Sequence, residues 1–216
     1  MAASGVNFQL NFAQEITRVT AQIQATPEQV TKAGERARRK TMRWLSTRMA
    51  REISQALRVP QKSLKTRWST TTAGSGAEQV TILWFGTLPL PAESAGRPRQ
   101  GKKGTTVAGR RFDGAFYRSV YDGVSRVWIR KSRAQALGLQ LPAMSRQNGG
   151  GNQRFLDLGG SNDSSNRGRF PVVRVGIELA GMADEVFRRY ERRALARFAE
   201  LIEQEINYAV NHERKT

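Results

Sequence analysis

Arg111-Phe112-Asp113-Gly114-Ala115-Phe116, followed by Val127-Trp128-Ile129-Arg130, stands at the centre of the stretch around which the chain is arranged. It lies in a segment from Arg97 to Arg133 that carries eleven Lys/Arg against Asp113 and Asp122, a net charge of +9. Phe112, Phe116, Tyr117, Tyr121 and Trp128 punctuate the basic residues. Gly96, Pro98, Gly101, Gly104 and Gly109 argue against regular backbone before Arg110, so a long basic loop over 92–110 is expected to feed a strand. Val124 to Lys131 reads as that strand's successor, with Val127 and Ile129 on one face and Trp128 on the other.

Working outward, the amino-terminal side is dominated by one helix. Thr26-Pro27-Glu28-Gln29 is a helix start, with a threonine cap, proline at the first helical position and Gln29 at the third. Ala33, Ala37, Trp44, Met49, Ile53, Ala56 and Leu57 form the expected inner stripe, and Val59-Pro60 ends the helix. Such a helix approaches 30 residues, roughly 45 Å at 1.5 Å per residue, and wants a partner along its length. Before it, residues 1–25 read as an extension in which Phe8, Leu10 and Phe12 alternate and Ile16, Val19 and Ile23 follow helical spacing. After it, Pro60 to Leu64 predicts a turn into a short helix. Lys65 to Ser69 then enters a first strand, and Val80 to Phe85 forms a second that could pair with it as a hairpin.

On the carboxy-terminal side, a Gly/Asn/Ser-rich loop fills 140–169, and Phe170-Pro171-Val172-Val173 resumes with a strand. The last helix shows Val186, Phe187, Tyr190, Ala194, Phe198, Leu201, Ile202, Glu205 and Ala209 on one face, interrupted only by Glu205. Its arginines come first and its glutamates second, against the preference of the helix dipole. That order suggests that the charges answer to a neighbour. The fold class expected is α+β: a small, mainly antiparallel sheet packed with long amino- and carboxy-terminal helices. The expected organisation is a single domain over 26–210 with loop insertions at 92–110 and 140–169, and a tail at 211–216.

The whole chain has 216 residues, a net charge of +18 and a pI near 11.4. That balance points to polyanionic partners, namely nucleic acid, an acidic protein surface or an anionic membrane. With no cysteine and one histidine, His212, thiolate chemistry is excluded and a metal site would rest on carboxylates. No phosphate-binding glycine loop of the nucleotide-binding type is present. Asp113 and Asp122 sit among so many bases that ion pairing outweighs a nuclease pair. We therefore expect no enzyme activity, no cofactor and no metal. No cleavable signal or run of about 18 apolar residues is evident, so a soluble intracellular protein is the default expectation. The segment's basic residues, Arg97, Arg99, Lys102, Lys103, Arg110, Arg111, Arg130, Lys131 and Arg133, are read as facing a polyanion or an assembly partner.

Taken in order, these elements carry a resemblance: the long basic helix, the short helix near Pro60 to Leu64, Arg-Phe-Xaa-Gly-Ala-Phe at Arg111 to Phe116, Val127-Trp128-Ile129-Arg130, Phe170-Pro171-Val172, and Phe198 to Ile206 of the last helix. The set, covering roughly residues 27 to 210, resembles the minor tail protein Z family of long-tailed bacteriophages and prophages. The resemblance implies a structural tail-completion protein that forms an oligomeric ring, hexameric or similar, at the head-proximal end of the tail. It would be needed for head–tail joining and seated between a tail terminator and head connector proteins. Double-stranded DNA in the tail axis gives the positive surface a use, no membrane is involved, and the location is the virion, with host cytoplasm during assembly. Carried onto this chain, Phe112 and Phe116 are packing anchors, Gly114 the bend and Arg111 a surface contact. Trp128 and Arg130 extend the same surface, and Pro171 fixes entry to a later strand. The alternative is a non-enzymatic DNA-binding accessory protein without sequence specificity.

Overall fold

The computed structural model describes residues 4–23, 25–74, 79–120, 123–139 and 172–212. They form a mixed α+β fold of small antiparallel sheets with long helices near both ends of the chain. The chain divides into two compact units, one comprising 1–57, 64–88 and 180–216 and the other 58–63 and 89–179.

The first unit is built on two helices, α2 (Pro27–Leu57, 31 residues) and α5 (Ala180–His212, 33 residues). The start of α2 is a reciprocal capping box. The Gln29 backbone N–H donates to Thr26 Oγ1 at 3.3 Å, and the Thr26 N–H donates to Gln29 Oε1 at 3.0 Å. Gln29 Nε2 then donates to the Ala209 carbonyl of α5 at 3.0 Å, so the cap also ties the two helices together. Pairs between residues 29 and 209, 36 and 205, and 52 and 189 show that α2 and α5 run antiparallel. The buried stripe of α2 runs through Ala33, Ala37, Thr41, Leu45, Met49, Ile53 and Leu57. Trp44 lies half-buried at its margin against Tyr190, and Ala56 is exposed. The expected stripe was thus right in period, with Leu45 rather than Trp44 inside it and Ala56 outside it. On α5, every residue of the expected face is buried, Glu205 included.

A three-stranded antiparallel sheet completes this unit in the order β1 (Gly5–Asn11), β3 (Val80–Gly86), β2 (Trp68–Ala73). Both alternatives raised for residues 1–25 are present, because the strand β1 is followed by the helix α1 (Ala13–Thr20). The stretch read as an extension therefore contributes core: Phe12 is 1 % exposed and stacks on Phe198 with centroids 3.9 Å apart. Phe8 stacks on Phe187 at 4.7 Å, and Trp68 on Phe187 at 5.8 Å, so one face of the sheet is sealed by α5. Half-buried Trp84 fills the space that side chains at its neighbours Gly5 and Gly86 would occupy. Arg67, just before β2, donates through Nη1 to the carbonyls of Gly86 at 3.2 Å and Leu88 at 2.6 Å. Burial pulls its pKa below the usual guanidinium value.

The second unit holds the other strands. The short helix expected after Pro60 begins in this unit as α3 (Gln61–Lys65). The loop expected over 92–110 is not a loop. Ala92–Ser94 makes a 3-10 turn, and β5 (Arg99–Gly101), β6 (Gly104–Val107) and β7 (Arg110–Asp113) form a three-stranded antiparallel sheet. Three of the glycines that suggested irregular backbone belong to two tight hairpins: Gly101 and Gly104 are the pair that closes the Lys102-Lys103 turn, and Gly109 is itself a turn residue. Val107 pairs with Arg110, leaving Ala108 at φ 50° and Gly109 at φ 77°, the positive pair that a two-residue twisted hairpin needs. A second sheet has the order β10 (Val172–Arg174), β9 (Ser125–Arg130), β8 (Ala115–Ser119), and β9 leads into α4 (Lys131–Ala136). β4 (Leu90–Pro91) pairs with β11 (Gly176–Ile177). The loop expected at 140–169 and Pro171 lie outside the described residues. Among the described residues no helix is long and apolar enough to cross a membrane.

Candidate polyanion-facing surface

The β5-β6-β7 sheet sorts its residues onto two faces by strand alternation. Gln100, Thr105 and Phe112 are cross-strand partners and share one face. There Thr105 Oγ1 donates to the Ala115 carbonyl at 3.1 Å and the Tyr117 N–H donates to Gln100 Oε1 at 2.8 Å, which turns this face toward β8. Arg99, Thr106 and Arg111 are likewise partners and form a row across the opposite face. Both arginines are exposed. With neighbouring strands about 4.8 Å apart, they stand about 10 Å from each other. Arg111 makes an ion pair with Asp113 at 2.7 Å, in which both side chains keep roughly half their surface in water.

At one end of this sheet the backbone gathers several of the expected residues. Lys102 and Lys103 form the β5–β6 turn, and the Gly114 N–H donates to the Lys103 carbonyl at 2.9 Å. Gly114 is at φ 76°, the left-handed region that favours glycine, and so acts as the bend expected of it. A Cβ there would stand 3.1 Å from Arg133 Cγ, so the stem of Arg133 lies across the bend. Lys103, Asp113 and Arg133 are thereby brought together around Gly114. Arg130 belongs to the other sheet, opposite Val172, with Lys131 opening α4.

Among the described residues, Arg97, Arg99, Lys102, Lys103, Arg130, Lys131 and Arg133 take part in no ion pair and are exposed. Arg110 is half-buried. The described part of the unit holds fourteen Lys/Arg and three acids, Glu93, Asp113 and Glu178. Arg174 engages Glu93 through Nε at 3.1 Å and through Nη2, and Arg111 engages Asp113. Charge on this scale without compensation attracts polyanions over a Debye length of about 10 Å at 0.1 M salt.

One expectation is corrected here. Trp128 does not extend the surface: it is fully buried, and its indole Nε1 donates to the Arg118 carbonyl at 3.0 Å. The apolar strand that carries it needs both faces covered, so the largest side chain went to the core. Phe112 and Phe116 are half-buried, and the residue enclosed between them is Ala115. Sequence reading also passed over Arg118 and Arg126, which sit directly opposite each other on β8 and β9. Like charges so placed cost stability unless something else faces them. Their alternation with Phe116 and Trp128 was the available signal. Among the described residues no three His, Asp or Glu side chains gather as metal ligands.

Set against known proteins, the chain matches no family model, no curated protein and no solved structure.

Proposed function

We propose that this chain is a structural tail-completion subunit of a phage tail. In this reading it associates with itself into a ring at the head-proximal end and presents its basic unit to DNA or to acidic neighbours in the neck. As the resemblance to the minor tail protein Z family implies, the reading includes no catalytic step. The observation that carries it is the unequal treatment of charge. Among the described residues, Arg36, Lys40 and Arg189 of the long helices meet acids across the helix pair, whereas Arg97, Arg99, Lys102, Lys103, Arg130, Lys131 and Arg133 of the second unit are exposed and take part in no ion pair. A surface that holds so much charge in water gains little for its own fold, so its use lies in what it meets.

The test has two measurements. Mass measurement of the purified chain over a concentration series is expected to show an oligomer built from 24.1 kDa subunits. Imaging of particles carrying the labelled protein is expected to place it where head meets tail. A monomer or dimer that binds duplex DNA with affinity falling steeply as salt rises, and that is absent from particles, would favour the accessory DNA-binding reading instead.

A further inference from the structure

Among the described residues no further strand pairs with either edge of the first unit's sheet, and neither edge carries charge. A quarter of the chain is Asp, Glu, Lys or Arg. Yet β1 (Gly-Val-Asn-Phe-Gln-Leu-Asn) and β2 (Trp-Ser-Thr-Thr-Thr-Ala) contain none of these and no proline. Exposed edge strands are normally protected from pairing with other chains by lysines, prolines or bulges. Here both edges lack these side-chain guards. Ser69 to Ala73 are exposed, as are Asn7, Gln9 and Asn11. The threonine run also has the β-branched side chains that favour strand pairing.

The hydrogen-bond phase tells which backbone groups are unused. The Gly86 N–H donates to the Arg67 carbonyl at 2.9 Å and the Thr87 N–H donates to the Ser4 carbonyl at 3.1 Å. In an antiparallel ladder bonded and non-bonded pairs alternate. Continuing the two registers, Ser69, Thr71 and Ala73 turn their backbone toward β3, and Trp68, Thr70 and Thr72 turn theirs outward. On the other side Val6, Phe8 and Leu10 bond to β3, while Gly5, Asn7, Gln9 and Asn11 face out. Among the described residues no hydrogen bond reaches the outward groups of Thr70, Thr72, Asn7 or Gln9.

We infer that the β2 edge of one copy pairs with the β1 edge of a second copy, so that subunits join head to tail through a continuous sheet. The occupant is a second copy because the chain itself supplies two uncharged edges, so that pairing there sets no like charges directly against each other despite a net charge of +18. The two edges are also matched in length, six residues against seven. Head-to-tail pairing uses both edges and closes into a ring when the rotation between copies permits, whereas β2-to-β2 pairing stops at a dimer and leaves β1 open. The inference rests on the self-association proposed above and names the surface responsible for it.

Proline at an outward-facing edge position removes a donor without touching the ladder to β3. The double variant Thr70→Pro/Thr72→Pro and the single variant Gln9→Pro are each expected to reduce the oligomer to monomer, with wild-type far-ultraviolet circular dichroism. Mixed in equal amounts, they are expected to form a heterodimer, because one still offers an intact β1 and the other an intact β2. Should the proline chains not fold, Thr70→Lys/Thr72→Lys adds repulsion at the same edge and leaves the backbone whole, with the same loss of mass expected. Folded variants that keep the wild-type mass overturn the inference and leave self-association standing. Dissociation by the β2 variants but not by Gln9→Pro overturns the head-to-tail arrangement. A wild-type chain that stays monomeric at every concentration overturns the self-association reading and the inference with it.

Discussion

Each of the two units carries eighteen Lys/Arg, but the acids set against them differ. The helical unit supplies twelve acids and the basic unit six, but number matters less than placement. On the helices, Arg36 reaches Glu205 at 2.8 Å, Lys40 engages the same carboxylate, and Arg189 reaches Glu52 at 2.5 Å. Glu205, the one break in an apolar face, is 6 % exposed and serves as the shared acceptor. The order of charges on α5, unfavourable to its own dipole, suits a neighbour running the other way: early arginine meets late glutamate of α2, and late glutamate meets early bases. In the basic unit the same side chains mostly extend into water. The difference teaches that a positive charge on this chain is structural where the partner helix sets an acid against it, as at Arg36, Lys40 and Arg189, and available where no acid stands opposite, as at Arg99 and Lys103.

Removing Trp128 tests whether the basic unit has a core of its own. Trp128→Ala empties the largest fully buried side chain and removes the indole donor to the Arg118 carbonyl, for a loss of about 3–5 kcal/mol. Amide hydrogen exchange over β8 to β10 is the readout, and unchanged protection there would break the picture of a packed second unit. Glu205→Ala attacks the other side of the comparison. It leaves Arg36 partly buried without its carboxylate, at a cost of about 2–4 kcal/mol in urea denaturation, moderated because Lys40 is more than half exposed. A smaller loss, about 1 kcal/mol, is expected for Thr26→Ala, which removes half of the capping box.

The paired change Arg99→Gln/Arg111→Gln sharpens the contrast, since it should move stability by less than about 0.5 kcal/mol. On duplex DNA it should lower the slope of log affinity against log salt by about 2, one unit per lost phosphate contact. A stability loss comparable to that of Glu205→Ala would make these arginines structural after all. The smallest effect concerns Tyr190 on α5. Burial, then the charge and hydrogen bond of Glu52, raise its pKa above the ordinary value, against a lowering by Arg193. The folded state therefore holds this proton more tightly than the unfolded chain. The stabilisation is complete below about pH 10 and is lost as the pH rises beyond it. Urea midpoints measured across that range should fall more steeply for the wild type than for Tyr190→Phe.

Reading the elements in order shows why some were legible. Period and caps are local: Thr26 to Gln29 announced α2, and the face from Val186 to Ala209 announced α5, because each signal lies within a turn or two of the helix it describes. The strands β3 and β9 were legible for the same reason, as alternating apolar runs long enough to count. The β5-β6-β7 sheet was not. Its strands are three or four residues long and their glycines mark hairpin turns, so composition pointed to a loop while the pairing of Arg99, Thr106 and Arg111 depended on contacts between strands. Among site residues, Gly114 declared its bend through its identity. Trp128 could not declare its burial, because a short apolar run such as Val127-Trp128-Ile129 does not say whether one face of its strand is covered or both.

Sequence alone determined the long helices, the strongly positive balance and the absence of thiol chemistry, since these follow from residue type and short-range spacing. Only the tertiary structure decided which charges are spent inside and which remain outside. Glu205 became a buried acceptor, Trp128 a core residue and Arg99 with Arg111 an exposed row because neighbours distant in sequence arrived beside them. Ion pairs and burial depend on distance and on exclusion of water, and neither is written in the order of residues along the chain.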